Sequence, residues 1–244
     1  MRLTRIYTDR PLASQEEIEL GADAARHLVT VLRARPGDPV VLFNGLGGEY
    51  PGVIRAATRK SVVVLTGDAV STDRESSFPI ELGIGLSRGD RFDWVLQKAT
   101  ELGVTAITPL YTERTEVKLK DRREEKKQRH WQQVIISACE QCGRNRLPRL
   151  HSPRPLKDWL TVDADCRLVL YHQAEHSLRE IAAEAVPKSA ALLIGPEGGL
   201  AGDEIRAALD TGFRALVLGP RIMRTETAPV SAISVLQYLW GDLG

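Results

Sequence analysis

Two short apolar runs between residues 190 and 218, each stopped by Gly-Pro, constrain the fold more than any other feature. Ala190-Ala191-Leu192-Leu193-Ile194 runs into Gly195-Pro196-Glu197-Gly198-Gly199. Phe213 to Leu218 runs into Gly219-Pro220-Arg221-Ile222-Met223-Arg224-Thr225-Glu226-Thr227-Ala228. Apolar runs of this length, closed by Gly and Pro, read as buried parallel strands that end in sharp loops. Asp203 to Asp210 reads as the helix between them, with Glu204 in its first turn and Gly212 just past its end. In an open α/β sheet built of such units, a ligand sits where the loops leave the carboxyl ends of the strands.

Glycines at 195, 198, 199 and 219 permit positive φ and let backbone groups approach a ligand closely. A nucleotide triphosphate loop would add Lys-Ser or Lys-Thr after the last glycine, whereas Leu200 and Ala201 follow Gly199. No G-x-G-x-x-G opens a helix. Backbone amides and the apolar side chains Leu200, Leu218, Ile222 and Met223 remain, a lining suited to an adenosine. Two tight turns with no ligand between them are the competing reading of the same residues.

Residues 1 to about 72 read as a small β-rich domain. Its apolar runs are Pro39 to Phe43, Gly52 to Ile54 and Ser61 to Leu65, punctuated by Pro36-Gly37-Asp38, Asn44-Gly45 and Gly47-Gly48. A helix is expected over Asp23 to Leu32, with His27, Leu28, Val31 and Leu32 at helical spacing. Val70 to Phe78 is polar, lacks periodicity and reads as a linker. From about 73 to 244 strands and helices alternate: a strand at Ile80 to Leu86, a helix at Phe92 to Leu102, a strand at Thr105 to Leu110. That pattern predicts a parallel sheet covered by helices.

Lys118 to Arg129 reads as a solvated charged face, followed by a buried stripe of Trp131, Val134, Ile135, Ala138 and Cys142. Cys139-Glu140-Gln141-Cys142 has C-x-x-C spacing. A structural zinc site needs about four ligands, no second pair exists, and a redox pair usually opens a helix rather than closing one, so no metal is expected. Between Gln141 and Lys157 there is no acidic residue, yet Arg144, Arg146, Arg149, Arg154 and Lys157 all occur. With Pro148, Pro153 and Pro155, an extended segment suited to phosphate contact is expected. Arg167 to Tyr171 reads as a strand ending beside the glycine loops, which brings Leu170, Tyr171 and His172 to the pocket. A histidine at a strand end is more often a packing group than a base. Thr227 to Trp240 carries Val230, Ile233, Leu236, Gln237 and Trp240 along one side, a stripe of the kind that is usually core. With 43% hydrophobic and 27% charged residues, no apolar run of membrane-spanning length and a polar Met1 to Arg10, a soluble cytoplasmic protein is expected. The net charge of +1 is silent on nucleic acid; a basic surface would have to be local.

Ile194 to Leu200, Asp203-Glu204-Ile205 and Leu218 to Thr227 resemble the RsmE family, 16S rRNA uridine N3-methyltransferases of the SPOUT class. Gln97 to Val104 and Ala138 to Arg144 extend the resemblance over nearly the whole chain. Met223 stands where the family usually has Leu, and Ala201 where Ser is usual, which removes a side-chain helix cap. The resemblance implies an α/β fold: a trefoil-knotted parallel sheet over 73–244, preceded by a PUA-like β-barrel over 1–72 that helps hold RNA. It implies S-adenosylmethionine as cofactor, held by Leu170, Tyr171, His172, Ile194, Gly195, Pro196, Glu197, Gly198, Gly199, Leu218, Gly219, Ile222, Met223 and Thr227. Arg2, Arg5, Arg26, Arg33, Arg35, Arg144 and Arg146 become candidates for RNA phosphates. The partners implied are 16S rRNA in an assembled or assembling small subunit and a second copy of the chain, packed on the last helix.

Arg224 and Glu226 lie next to the expected methyl donor. Arg224 is expected to stabilise the anion that forms when N3 of uracil loses its proton, and Glu226 to position Arg224 or cap the helix after it. An RNA-binding protein of the same fold without catalysis, or a SPOUT methyltransferase acting on tRNA, are the alternatives.

Overall fold

The computed structural model describes residues 3–117, 122–174, 177–182 and 186–244. Arg2, and the part of the charged face at 118–121, lie outside the described residues. Two compact units divide the chain, Met1–Glu75 with Ile136–Leu147, and Ser76–Ile135 with Pro148–Gly244. The first unit thus extends three residues past the expected cut at 72 and also takes in Ile136–Leu147. The expected linker is shared between the units, and a helix end far along the chain joins the first.

The first unit is a five-stranded sheet around one core. Its strands are β1 (Thr4–Tyr7), β2 (Glu17–Leu20), β3 (Pro39–Phe43), β4 (Tyr50–Ala57) and β5 (Val62–Thr66). They lie in the order β1-β3-β4-β5-β2, with β1 parallel to β3 and the other pairs antiparallel. β5 alternates buried and half-buried residues, as a strand with one covered face must. Ile6, Leu20, Leu28, Leu42, Ile54 and Val64 meet in the core. The expected helix is split into α1 (Ala22–Arg26) and a π-helical turn at His27–Val31. The wider turn shifts the phase of the side chains. Leu28 stays buried while His27, Val31 and Leu32 turn outward, so the expected stripe does not form.

The second unit carries β6 (Ile80–Gly85), α2 (Asp90–Glu101), β7 (Ala106–Tyr111), most of α3 (Arg122–Cys142), β8 (Arg149–Leu150) and β9 (Arg154–Pro155). After these come β10 (Cys166–Leu170), α4 (Leu178–Ala182), β11 (Ala190–Ile194), α5 (Gly202–Asp210), β12 (Arg214–Leu216) and α6 (Thr227–Trp240). The sheet runs β12-β10-β11-β6-β7-β8, with β9 also on β7, and the pairs are parallel. Every residue of β11 is buried, as expected where helices cover both faces of a parallel sheet. A Cβ on Gly83 would lie 2.6 Å from the Trp159 ring, so the glycine lets the indole pack flat on β6. α6 packs against α2. Its buried Gln237 donates to the Leu102 carbonyl at 3.1 Å and accepts from Ser76 at 2.6 Å. Among the described residues no helix is long and apolar enough to cross a membrane.

Candidate active site

β11 and β12 end in the two glycine loops, on either side of β10 in the sheet, and both loops line one cleft over the strand ends. β12 lies at the edge, but the chain after it runs back over the carboxyl ends of β11 and β6 before entering α6. Thr225 fixes that return. It is buried, donates to the Gly195 carbonyl at 3.1 Å, and lies 3.5 Å from Ser87 Oγ, just after β6. Glycine is required at three places for two reasons. A Cβ on Gly195 would meet Gly199 and Leu200 backbone at 2.8 Å, so the first loop closes on itself there. Gly199 and Gly219 have φ of +69° and +78° and nothing within 4 Å on the Cβ side. That space faces a cleft rather than protein.

The cleft has a volume of about 400 Å³, in the usual range for a small-ligand site. Leu170, Tyr171 and His172 line it from the end of β10, Ile194 to Leu200 from the first loop, and Val217, Leu218, Gly219 and Arg221 to Glu226 from the second. The expected cofactor residues meet here with one exception. Thr227 lies in the first turn of α6, does not line the cleft, and donates its N–H to the Arg224 carbonyl at 2.9 Å. Apolar walls come from Leu170, Leu218, Ile222 and Met223. Among the described residues the N–H groups of Ile222 and Met223 meet no acceptor. A flat, apolar heterocycle with hydrogen-bonding edges suits such a lining.

Arg224 is exposed and Glu226 half-buried, both on the cleft. Glu226 occupies the cap position of α6 without a side-chain hydrogen bond, and no ion pair joins it to Arg224 among the described residues. The two positioning roles expected of Glu226 are therefore absent here. At Ala201, the lost side-chain cap is offset in part by Glu204, whose Oε2 accepts the Ala201 N–H at 2.9 Å.

Two cleft arginines were invisible in the sequence. Arg91, at the start of α2, pairs with Glu197 at 3.3 Å, and the same carboxylate accepts the Arg88 N–H at 3.0 Å. Arg114, in the turn after β7, donates to the Gly198 carbonyl at 2.9 Å. Neither belongs to a motif, and only the sheet order brings them here.

Two of the arginines expected to meet phosphate are engaged within the first unit. Arg144 is 4% exposed and ion-paired with Glu75 at 2.5 Å. The Arg5 side chain is 9% exposed, paired with Glu49, and stacked 4.9 Å from the centre of the Phe43 ring. Burial alone would raise the Glu49 carboxyl, but the hydrogen bond and charge of Arg5, with Arg74 and Asn145, hold it below its usual value. Desolvated arginines already bound to carboxylates have little left to offer a phosphate. Arg33 and Arg146 are exposed, as are Arg26 and Arg35. Burial also pushes the Cys139 thiol up to about 12, opposite to what a reactive or metal-binding cysteine needs.

Residues 74–237 match the RNA methyltransferase domain family and residues 20–66 the RNA methyltransferase PUA domain family. Ribosomal RNA small subunit methyltransferase E of Buchnera aphidicola is 32% identical, with 99% of this chain and 98% of that one covered. The Bacillus subtilis protein of the same name is 32% identical, over 95% and 93%. Among solved structures, a Legionella pneumophila protein described as a methyltransferase in complex with the bound cofactor SAM is 40% identical. Both chains are covered over 100%, at a TM-score of 0.96. The ribosomal RNA small subunit methyltransferase E of Neisseria gonorrhoeae, bound to S-adenosyl methionine, is 35% identical over 100% of both chains, at a TM-score of 0.92.

Proposed function

We propose that this chain, which belongs to the ribosomal RNA small subunit methyltransferase E family, methylates N3 of a specific uridine in 16S rRNA with S-adenosylmethionine as donor. The observation that carries the reading is the cleft itself. Two glycine loops, tied together by Thr225, leave an apolar space over the carboxyl ends of the sheet, where the N–H groups of Ile222 and Met223 meet no acceptor among the described residues. The residues fit the donor. Leu170, Leu218, Ile222 and Met223 would hold its adenine, and the open sides of Gly199 and Gly219 leave room that a Cβ would fill. When bound, S-adenosylmethionine supplies an electrophilic methyl group.

The chain's own task is the uridine. N3 of uracil holds its proton at neutral pH and becomes a nucleophile only as that proton leaves to solvent water, the S–CH3 bond of the donor breaking as the N3–CH3 bond forms. Arg224 is effectively always charged, so it serves as a donor to the uracil oxygen on which charge develops rather than as a base. Glu226 stands on the same cleft with no ion pair to Arg224 among the described residues, and its positioning of Arg224 is a contact that forms only when substrate is bound.

The reading extends to assembly and to the chain's path. A second copy packs on α6, whose Tyr238 is 64% exposed, with Val235 and Leu239 at 38% each. The return of the chain from edge strand β12 to the middle of the sheet supports the knotted threading. Light scattering tests the dimer, and a fully active monomer would refute it. The reaction itself is tested by mass mapping of 16S rRNA from cells with and without the protein. One N3-methyluridine should disappear with the protein, and an unchanged map would refute the reading.

A further inference from the structure

The cleft carries more positive charge than a methyl donor calls for. Four arginines, Arg91, Arg114, Arg221 and Arg224, line it against the carboxylates of Glu197 and Glu226. S-Adenosylmethionine is itself a net cation, since sulfonium and ammonium outweigh its one carboxylate. Surplus guanidinium groups repel it on balance, so they serve another ligand. Arg91 is already held by Glu197. Arg224 has the reacting base to attend to. Arg114 and Arg221 remain, both exposed, and neither is ion-paired to a carboxylate among the described residues.

Arg114 is held on a built turn. Thr112 donates its N–H to Thr115 Oγ1 at 3.0 Å, and Glu113 donates its N–H to Glu204 at 2.8 Å. The guanidinium spends one N–H on the Gly198 carbonyl, which leaves the rest of its fork for a ligand. Arg221 lies in the second glycine loop. One cation thus stands on each side of the cleft's polypeptide, and one of them is anchored to the first loop.

We infer that Arg114 and Arg221 form a two-point clamp for RNA phosphates flanking the target nucleotide, and that Arg114 registers the RNA against the first glycine loop. The inference rests on the methyl-transfer reading above. It predicts that both arginines act on RNA affinity through charge, and that neither holds the carboxylate of the donor.

The test compares wild type with Arg114→Gln, Arg221→Gln, the double variant and Arg114→Lys. Two quantities are measured: the slope of log affinity for 16S rRNA against log salt, and S-adenosylmethionine affinity by calorimetry. Each Gln change should flatten the slope by about 0.7–0.9 and the double change by about twice that. Arg114→Lys should restore most of the slope, and donor affinity should stay within about twofold of wild type. An unchanged slope in the double variant overturns the clamp. So does a fall in donor affinity without a change in slope, which would place a guanidinium on the donor's carboxylate or make Arg114 a mere brace of Gly198. Methylation of another atom by the wild type would overturn the previous section's reading instead, and the slopes would still judge the clamp.

Discussion

Thr225 Oγ1 donates to the Gly195 carbonyl at 3.1 Å, joining the two glycine loops through residues 30 positions apart in the chain. The bond is part-buried, with Thr225 itself 7% exposed, so its loss leaves a half-shielded carbonyl without this donor, at a cost of about 1–3 kcal/mol. Thr225→Val keeps the shape and removes the hydroxyl. We expect donor affinity to fall about tenfold by calorimetry with the fold intact, because the second loop is no longer fixed over the first. Undiminished affinity would show that the loops are positioned by packing alone.

Gly219 has φ +78° and no atom within 4 Å of a built Cβ. Gly219→Val would strain the backbone by about 1–3 kcal/mol and push a side chain into the space assigned to the donor. Donor binding should be lost to calorimetry, with a far-ultraviolet spectrum like that of wild type. Full affinity would move the site away from this cleft.

Arg144 and Arg146 look alike in the sequence and differ in the fold. Removing the buried Arg144 leaves the half-buried Glu75 without this partner, and Arg144→Ala should destabilise the protein by about 3 kcal/mol in denaturant titrations. Arg146 is exposed, so Arg146→Ala should leave stability within about 0.5 kcal/mol. It should instead flatten the salt dependence of RNA binding. Equal stability effects from the two changes would contradict this division.

Glu140 supplies a pH dependence of known sign. Burial lifts its carboxyl above the usual value of 4.5, against the opposing hydrogen bond from the Tyr7 N–H at 3.0 Å. A carboxyl whose folded pKa is raised binds its proton more tightly in the folded state. Its contribution is complete below 4.5 and is lost as pH rises toward the raised value. Glu140→Gln keeps the acceptor for Tyr7 and cannot ionise. Measured by chemical denaturation, the variant should gain on wild type as pH rises from 4.5 to 7.5. A constant difference across that range would mean that the carboxyl is not raised.

The parts of the fold legible in the sequence are those where one element's pattern suffices. β11 is a five-residue apolar run and is buried throughout, and α6 spans Thr227 to Trp240 as its stripe requires. The π-turn at His27–Val31 was not legible, because one inserted residue changes the phase without changing the composition. The burial of Arg144 was not legible either, since its partner Glu75 lies 69 residues away. Arg91 and Arg114 joined the site through sheet order, which no local motif encodes. The glycine loops were legible because a sharp turn next to a ligand restricts the residues that can build it.

In the proposed reaction the cleft methylates a uridinate whose charge Arg224 carries. Single-turnover methyl transfer from S-adenosylmethionine to 16S rRNA, measured against pH for wild type, Arg224→Ala and Glu226→Gln, tests it most directly. Arg224→Ala should slow the chemical step by about 10²–10³ and recover part of that at high pH, where more uridinate forms unaided. Glu226→Gln should keep much of the rate. Loss of transfer in Glu226→Gln with folding and donor binding intact, beside an active Arg224→Ala, would reverse the assignment and make Glu226 the base.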